Sequence, residues 1–312
     1  MFSLVQLEYL IAVDTYGQFS IAAEKCFVTQ PTLSMQIKKM ESDLDIVIFD
    51  RSKQPVVATE LGKTIIEQAR VVLSESSKIN ELIKSQMNEV SGELRIGIIP
   101  SVAPYLLPLI VGPFTKQFPE VQLKISEMLT EQIVDALDKE TIDLGIASTP
   151  VPHKNLKETV LYFEEILIYC HDKHPLFGNK SISSKDLARE NIWLLSQGHC
   201  FRSQALNVCE LKENAKTTPF EYESASIETL IKMVDKEGGI TLIPELAVND
   251  LSPAKQKRVR AIDSLKPVRE ISIVTNRLFV KNQALEAMKA CILSQIPEKL
   301  KSADRGNRVE WN

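Results

Sequence analysis

Apolar positions fall on a helical period at the start of the chain, where Leu4, Leu7, Leu10 and Ile11 share one face and Gly17 is placed to end the helix. A shorter helix is predicted over Ile21–Cys26 with Ser20 as its N-cap. A third follows Thr29, with Pro31 in its first turn, where a missing N–H is tolerated. Leu33, Ile37, Met40 and Leu44, spaced 4-3-4, give this third helix one apolar stripe and leave Pro31, Ser34, Met35 and Lys38 on the other side. Two helices joined by a short turn, the second with a small-polar and basic face, make a helix-turn-helix pattern. Phe49–Lys53 and Val56–Ala58 then read as a short β-wing. From Thr59 to Asn88, Ile65, Ala69, Val72, Ser76, Ile79 and Ile83 recur at 4-3-4-3-4, a heptad seam on a helix of about 40 Å. Such a seam favours pairing with a second copy over packing on its own domain.

After Glu93 the pattern changes to alternating strands and helices. Strands are predicted at Leu94–Ile99, Val121–Ser126, Leu144–Ala147, Ile166–Cys170, Ile192–Leu195, Ile240–Ile243 and Ile271–Val274, with helices at Tyr105–Phe118, Glu131–Lys139 and Ile227–Lys236. The alternation predicts an α/β domain with mainly parallel sheets, whose ligands bind where strands end and helices begin. Pro100-Ser101, Thr130 and Ser148-Thr149 occupy such loops. The whole chain reads as an α+β multidomain protein: a winged helix-turn-helix over 1–58, a linker and dimerisation helix over 59–90, an α/β regulatory domain over 91–300, and a loose polar tail over 301–312.

Composition narrows the setting more than the function. The 312 residues carry a net charge of −4, which excludes neither nucleic acid nor small molecules. Met1–Gln6 has no basic, apolar leader and no run is long enough for a membrane span, so a cytoplasmic protein is expected. There the five cysteines should be mostly reduced, and an odd count without a CxxC pair argues against a metal site. No cofactor is expected. Charge weakens the nucleic-acid reading, because residues 1–62 hold five Lys/Arg against eight acids, a net of −3. However, four of the five cations (Lys38, Lys39, Arg51 and Lys53) lie on the proposed recognition helix and wing.

The candidate chemistry is concentrated in Gly198–Cys209. His199 and Arg202 flank Cys200, and positive charge near a cysteine favours its reactive thiolate. Cys209 follows nine positions later, across a segment without Gly or Pro that is suited to one or two helical turns. On a helix the two Cα atoms lie roughly 13 Å apart, whereas a disulfide needs them within about 7 Å. Either the pair never bonds, or bonding breaks the local fold.

Phe19–Glu24 and Thr29–Ile37, together with Leu61-Gly62 and Gly238–Pro244, resemble the LysR-type transcriptional regulators over almost the whole chain. The resemblance implies a DNA-binding head and a regulatory domain of two subdomains, like a periplasmic binding protein. It also implies inverted-repeat operators in double-stranded DNA, a homodimer or homotetramer, and RNA polymerase as a partner. Gln30, Pro31, Thr32, Ser34 and Lys38 would then meet the major groove and phosphates, with Arg51 and Lys53 on the wing. Around the cysteines, and in Ile98–Ser101, Tyr105–Pro108 and Ser226–Leu230, the chain is similar to the family's peroxide-sensing members. That similarity implies that hydrogen peroxide oxidises Cys200, that Cys209 resolves it as a disulfide, and that a cytosolic thiol–disulfide reductant resets the pair. His199, Arg269 and Thr130 fall where those members bind peroxide or activate the thiolate. Ser101 stands where many have Thr, keeping the hydroxyl without the methyl. The alternatives are a LysR-type regulator of a small organic effector and a thiol peroxidase. The helix-turn-helix and heptad helix argue against the enzyme.

Overall fold

The computed structural model describes residues 2–87, 90–188, 190, 192–209, 224, 226–263, 266–279 and 281–310. They form two compact units, Met1–Glu89 with Leu278–Lys281, and Val90–Arg277 with Asn282–Asn312.

In the first unit, α1 (Leu4–Tyr16) starts on a Ser3–Gln6 capping box and ends at Gly17, whose φ of 63° is left-handed. The next helix, α2, spans Phe19–Lys25, so Ser20 lies inside it and is not its cap. Phe19 is drawn into the helix because its ring packs edge-on against Phe49, 6.1 Å between centroids. Thr29 caps α3 (Gln30–Leu44), accepting from the Thr32 N–H. Leu33, Ile37 and Met40 are buried, but Leu44 is exposed where Asp45 turns left-handed and ends the helix. The wing is an antiparallel pair, β1 (Phe49–Asp50) and β2 (Val57–Ala58). In α4 (Glu60–Met87) the heptad seam divides. Ala69 is buried, and Ile65 and Val72 pack on the head's own core, whereas Ile79 and Ile83 are 61% and 54% exposed. Gly62 is required here, because a Cβ would lie 2.1 Å from the Ile48 carbonyl oxygen.

In the second unit β3 (Gly92–Ile98) lies between, and parallel to, β4 (Val121–Glu127) and β5 (Leu144–Thr149). The crossovers are α5 (Ala103–Gln117) and α6 (Thr130–Asp138). Two long strands then tie this subdomain to the next. The first, β6 (Leu156–Cys170), begins antiparallel to β11 (Pro267–Asn276) and finishes antiparallel to β9 (Ile240–Pro244) and β10 (Val259–Ile262). In turn β11 also pairs antiparallel with β5. Around them stand β7 (Ser181–Ile182), α7 (Ser184–Leu187), β8 (Ile192–Trp193), α8 (Cys200–Val208), α9 (Ile227–Glu237), α10 (Pro253–Gln256) and α11 (Asn282–Gln295).

The sheet is therefore mixed rather than mainly parallel. Only the last third of β6 was expected, because Lys157, Glu158, Glu164 and Glu165 break the apolar run that marks a buried strand. The tail is also not loose. Its strand β12 (Asn307–Arg308) runs parallel to β11, with Arg305 on Glu245 at 2.7 Å and Arg308 on Glu270 at 2.9 Å. Polar composition concealed this because the tail is held by backbone pairing and ion pairs, not by an apolar face.

Candidate functional site

Gly198 enters α8 with φ 87°, a left-handed turn that a side chain would strain. The turn places His199 at the N-cap and Cys200 at the first helical residue. Phe201, Ala205 and Val208 bury the inner face of α8, and Phe201 and Ala205 line a small crevice with Leu195, Leu230 and Leu242. Cys209 caps the other end, fully buried, and both thiols are free.

The surroundings of Cys200 come from three distant segments. Burial pushes its thiol pKa up, opposed by the Arg269 charge, the Thr130 hydroxyl and the N–H groups of Phe201 and Cys200 itself. Thr130 opens α6, and its buried Oγ1 has no hydrogen-bond partner satisfying ordinary geometry. Arg269, on β11, has no exposed surface. Its Nη1 donates to Ser101 Oγ at 2.8 Å and its Nη2 to the Ser101 carbonyl at 3.0 Å. Its Nε donates to Glu164 at 2.9 Å, and its guanidinium lies 4.7 Å from the Phe201 ring centroid. Glu164, 1% exposed, also accepts the Leu246 N–H at 3.1 Å. One buried ion pair thus links the loop after β3, both long strands, the segment after β9 and α8.

The local charge expected from the sequence is absent. Burial lowers the pKa of His199, leaving its ring neutral near pH 7. Arg202 turns away and donates to the Leu195 carbonyl at 2.7 Å. The nearby cation is Arg269. For Cys209, burial alone pushes the thiol up to about 12. Burial likewise raises the thiols of Cys26, Cys170 and Cys291.

Sequence reasoning missed Glu164 and Gln204. Glu164 was legible in principle, since it shares a strand face with Tyr162 and Ile166, and a carboxylate on a buried face needs a partner. Gln204 belongs to the run that resembles the family's peroxide-sensing members, but nothing in the sequence gave it a role. Fully buried, it donates through Nε2 to Ser148 Oγ at 3.0 Å and to the Val309 carbonyl at 3.1 Å, while Asn207 donates to the Glu310 carbonyl at 3.0 Å. The tail therefore lies directly on α8.

In the other unit, Gln30, Pro31, Lys38 and Lys53 are exposed and Thr32 and Ser34 half-buried. Thr32 Oγ1 bonds Thr29 Oγ1 at 2.8 Å. Arg51 is engaged within the head, with Glu41 at 2.8 Å, Ser34 Oγ at 3.2 Å and the Phe19 ring at 4.8 Å. Lys53 lies 3.7 Å from Asp50.

Two family models match the chain: "Bacterial regulatory helix-turn-helix protein, lysR family" over residues 4–63 and "LysR substrate binding domain" over 87–297. The hydrogen peroxide-inducible genes activator of Haemophilus influenzae is 36% identical over 273 residues, covering 86% of this chain and 88% of that protein. The DNA-binding transcriptional dual regulator OxyR of Escherichia coli K12 is 36% identical over 252 residues, 81% of each. A full-length OxyR variant from Pseudomonas aeruginosa superimposes with a TM-score of 0.78 at 30% identity, covering 95% of this chain and 99% of that one. The head, the two-subdomain regulatory fold and these matches place the chain in the LysR family of bacterial transcriptional regulators.

Proposed function

We propose that this regulator senses hydrogen peroxide through Cys200 and Cys209. The observation that carries the reading is the setting of Cys200: a buried sulfur at a helix N-terminus, with the buried Thr130 hydroxyl and the Arg269 charge both acting on it. The Cys200 thiolate attacks one peroxide oxygen and the O–O bond breaks. Sulfur is oxidised to sulfenic acid, and the departing hydroxide takes a proton to become water. Arg269, Thr130 and Ser101 are donors suited to the charge that develops on that oxygen, and neutral His199 can pass a proton. The Cys209 thiol then displaces the sulfenic oxygen as water, giving a disulfide.

The second step sets the signal. Cys200 and Cys209 sit at opposite ends of α8, roughly 13 Å apart along the helix, so closing the bond unwinds it. That unwinding would repack Phe201 and Val208 and bias the contacts between copies, with a cytosolic dithiol reductant resetting the switch. Gln30, Pro31, Thr32, Ser34 and Lys38 would face an inverted-repeat operator. Arg51 and Lys53, from the wing, reach phosphates only by loosening their present partners. The working assembly is a homodimer or homotetramer that acts on RNA polymerase in the cytoplasm. It would not be a turnover enzyme. No helix among the described residues is long and apolar enough to cross a membrane. Domain roles follow the same division: head over 1–58, linker and dimer helix over 59–90, sensor over 91–300, and 301–312 as a strap rather than a free tail.

The test is stoichiometric. One equivalent of peroxide should give a Cys200–Cys209 disulfide by peptide mass spectrometry, Cys200→Ser should abolish it, and Cys209→Ser should stop at the sulfenic acid. Oxidation no faster than that of an unactivated cysteine would instead support a regulator of a small organic effector.

A further inference from the structure

We propose that the head reads thymine methyl groups through Phe27 and Met35, two exposed apolar side chains flanking the N-terminal turn of α3. The inference rests on the helix-turn-helix binding DNA. It adds which chemistry on the base edges this particular head selects.

Phe27 is 96% exposed, the most exposed large apolar residue among those described, although Cys26 and Val28 on either side pack on the core. Its φ is 56°, a left-handed conformation that suits glycine or asparagine and is costly for an aromatic residue. The backbone is pinned on both sides. Phe27 N–H donates to the Glu24 carbonyl at 3.1 Å and Val28 N–H to the Ala23 carbonyl at 3.0 Å. The turn thus holds a large ring out in solvent, in a strained conformation, two residues before the cap of the recognition helix. Neither the exposure nor the strain serves the stability of the head.

Met35 repeats the feature on the helix itself. It is 62% exposed and lies midway between the buried Leu33 and Ile37, which directs it away from the core. It also follows the exposed Pro31 by four residues, so the two form one apolar strip on the outer side of α3. Pro31, Met35 and Lys38 follow one another at four and three residues along α3, Gln30 is its first residue and Phe27 lies two residues before its cap, so all belong to the exposed N-terminal part of the helix that enters the major groove in a helix-turn-helix.

Charge favours DNA methyls as the occupant. With Arg51 held by Glu41 and Ser34, and Lys53 near Asp50, part of the sparse cationic set is spent inside the head. Drawing these two onto phosphates costs their present pairings, which leaves more of the affinity to base-edge contacts. The thymine C5-methyl is the apolar group displayed in the major groove, and apolar side chains read it by contact.

The test uses the full-length protein and a duplex recovered from a random DNA pool by that protein. A second duplex carries deoxyuridine at every thymine, which removes the methyls and keeps the pairing. Wild type should bind the uracil duplex on the order of tenfold more weakly. Phe27→Asn, a residue suited to the left-handed turn, and Met35→Gln should each lose part of that discrimination. The double variant should bind both duplexes alike, with an undiminished melting temperature. Equal binding of the two duplexes by wild type, or undiminished discrimination by the double variant, overturns the proposal. So does Phe27→Asn binding DNA normally while losing transcriptional activation, which would assign the ring to a protein partner. If wild type recovers no sequence from the pool, the DNA-binding reading itself fails.

Discussion

At the scale of single residues, the proposed sensor site is governed by what is buried with Cys200. Burial raises the Cys200 thiol above its ordinary value, so the reactive thiolate is the minor form at neutral pH. The rate of its oxidation should therefore climb about tenfold per pH unit from pH 6 to 8; a plateau in stopped-flow rates within that window would show a depressed pKa instead. The Glu164–Arg269 pair makes a second, separable prediction. Arg269→Met leaves a carboxylate buried without its counter-charge and should cost about 3–5 kcal/mol. Adding Glu164→Gln, which keeps an acceptor for the Leu246 N–H, should recover most of that stability but not the peroxide rate. A double variant as unstable as the single one in thermal unfolding would show that the pair is not the source of the loss. Cys200 and Cys209 stood out in the sequence as candidates, and Arg269 only through the family resemblance; their roles belong to the proposal. The neutral state of His199, the bond of Arg202 to the Leu195 carbonyl and the capture of Arg51 by Glu41 were not legible there, because each depends on how the chain folds around the side chain: burial for His199, and partners seven and ten residues away for the two arginines.

At the scale of elements, periodic apolar faces were the readable part. The stripe of α3, the cap at Thr29 and the strands with uninterrupted apolar runs followed from local pattern. The strand β6 did not, since a strand that passes between subdomains and buries an ion pair alternates in ways that mimic a loop. The tail escaped for the opposite reason, being held by backbone and charge. Its hold on α8 is testable. Gln204→Leu removes the bonds to Ser148 and Val309 and should cost about 1–2 kcal/mol of resting stability. It should also speed the disulfide-forming phase several-fold without changing the earlier peroxide phase. An unchanged second phase in rapid-quench mass spectrometry would separate the tail from the switch. Acid should release the same strap. Burial raises the Glu245 pKa, but Arg305, Lys299 and the Glu165 N–H outweigh this and hold it at about 2. A depressed carboxylate pKa stabilises the fold above its unfolded value and loses that contribution as pH falls, here from about 4.5 towards 2.

At the scale of the whole molecule, the heptad seam divides between the head's own core and an exposed stretch. Ala69 is committed to the head, whereas Ile79 and Ile83 are exposed. Ile79→Asp with Ile83→Asp should therefore shift sedimentation towards monomer and weaken operator binding by at least tenfold, with the melting of the head unchanged. Retention of the wild-type assembly would move the dimer contact elsewhere. The fold class was legible because each unit repeats a simple period, and the direction of signalling was not, because it depends on which contacts would survive the proposed unwinding of α8.

The carbonyls of Val309 and Glu310, bonded to Gln204 and Asn207, have a practical consequence. A load applied at residues 309–310 would be passed to α8 through these two bonds. A fluorescent protein attached just after Glu310 should therefore change the rate of the proposed disulfide step, and a long flexible linker should restore it. The same attachment point, used deliberately, would turn the regulator into a peroxide reporter whose set point is tuned by the length of the linker.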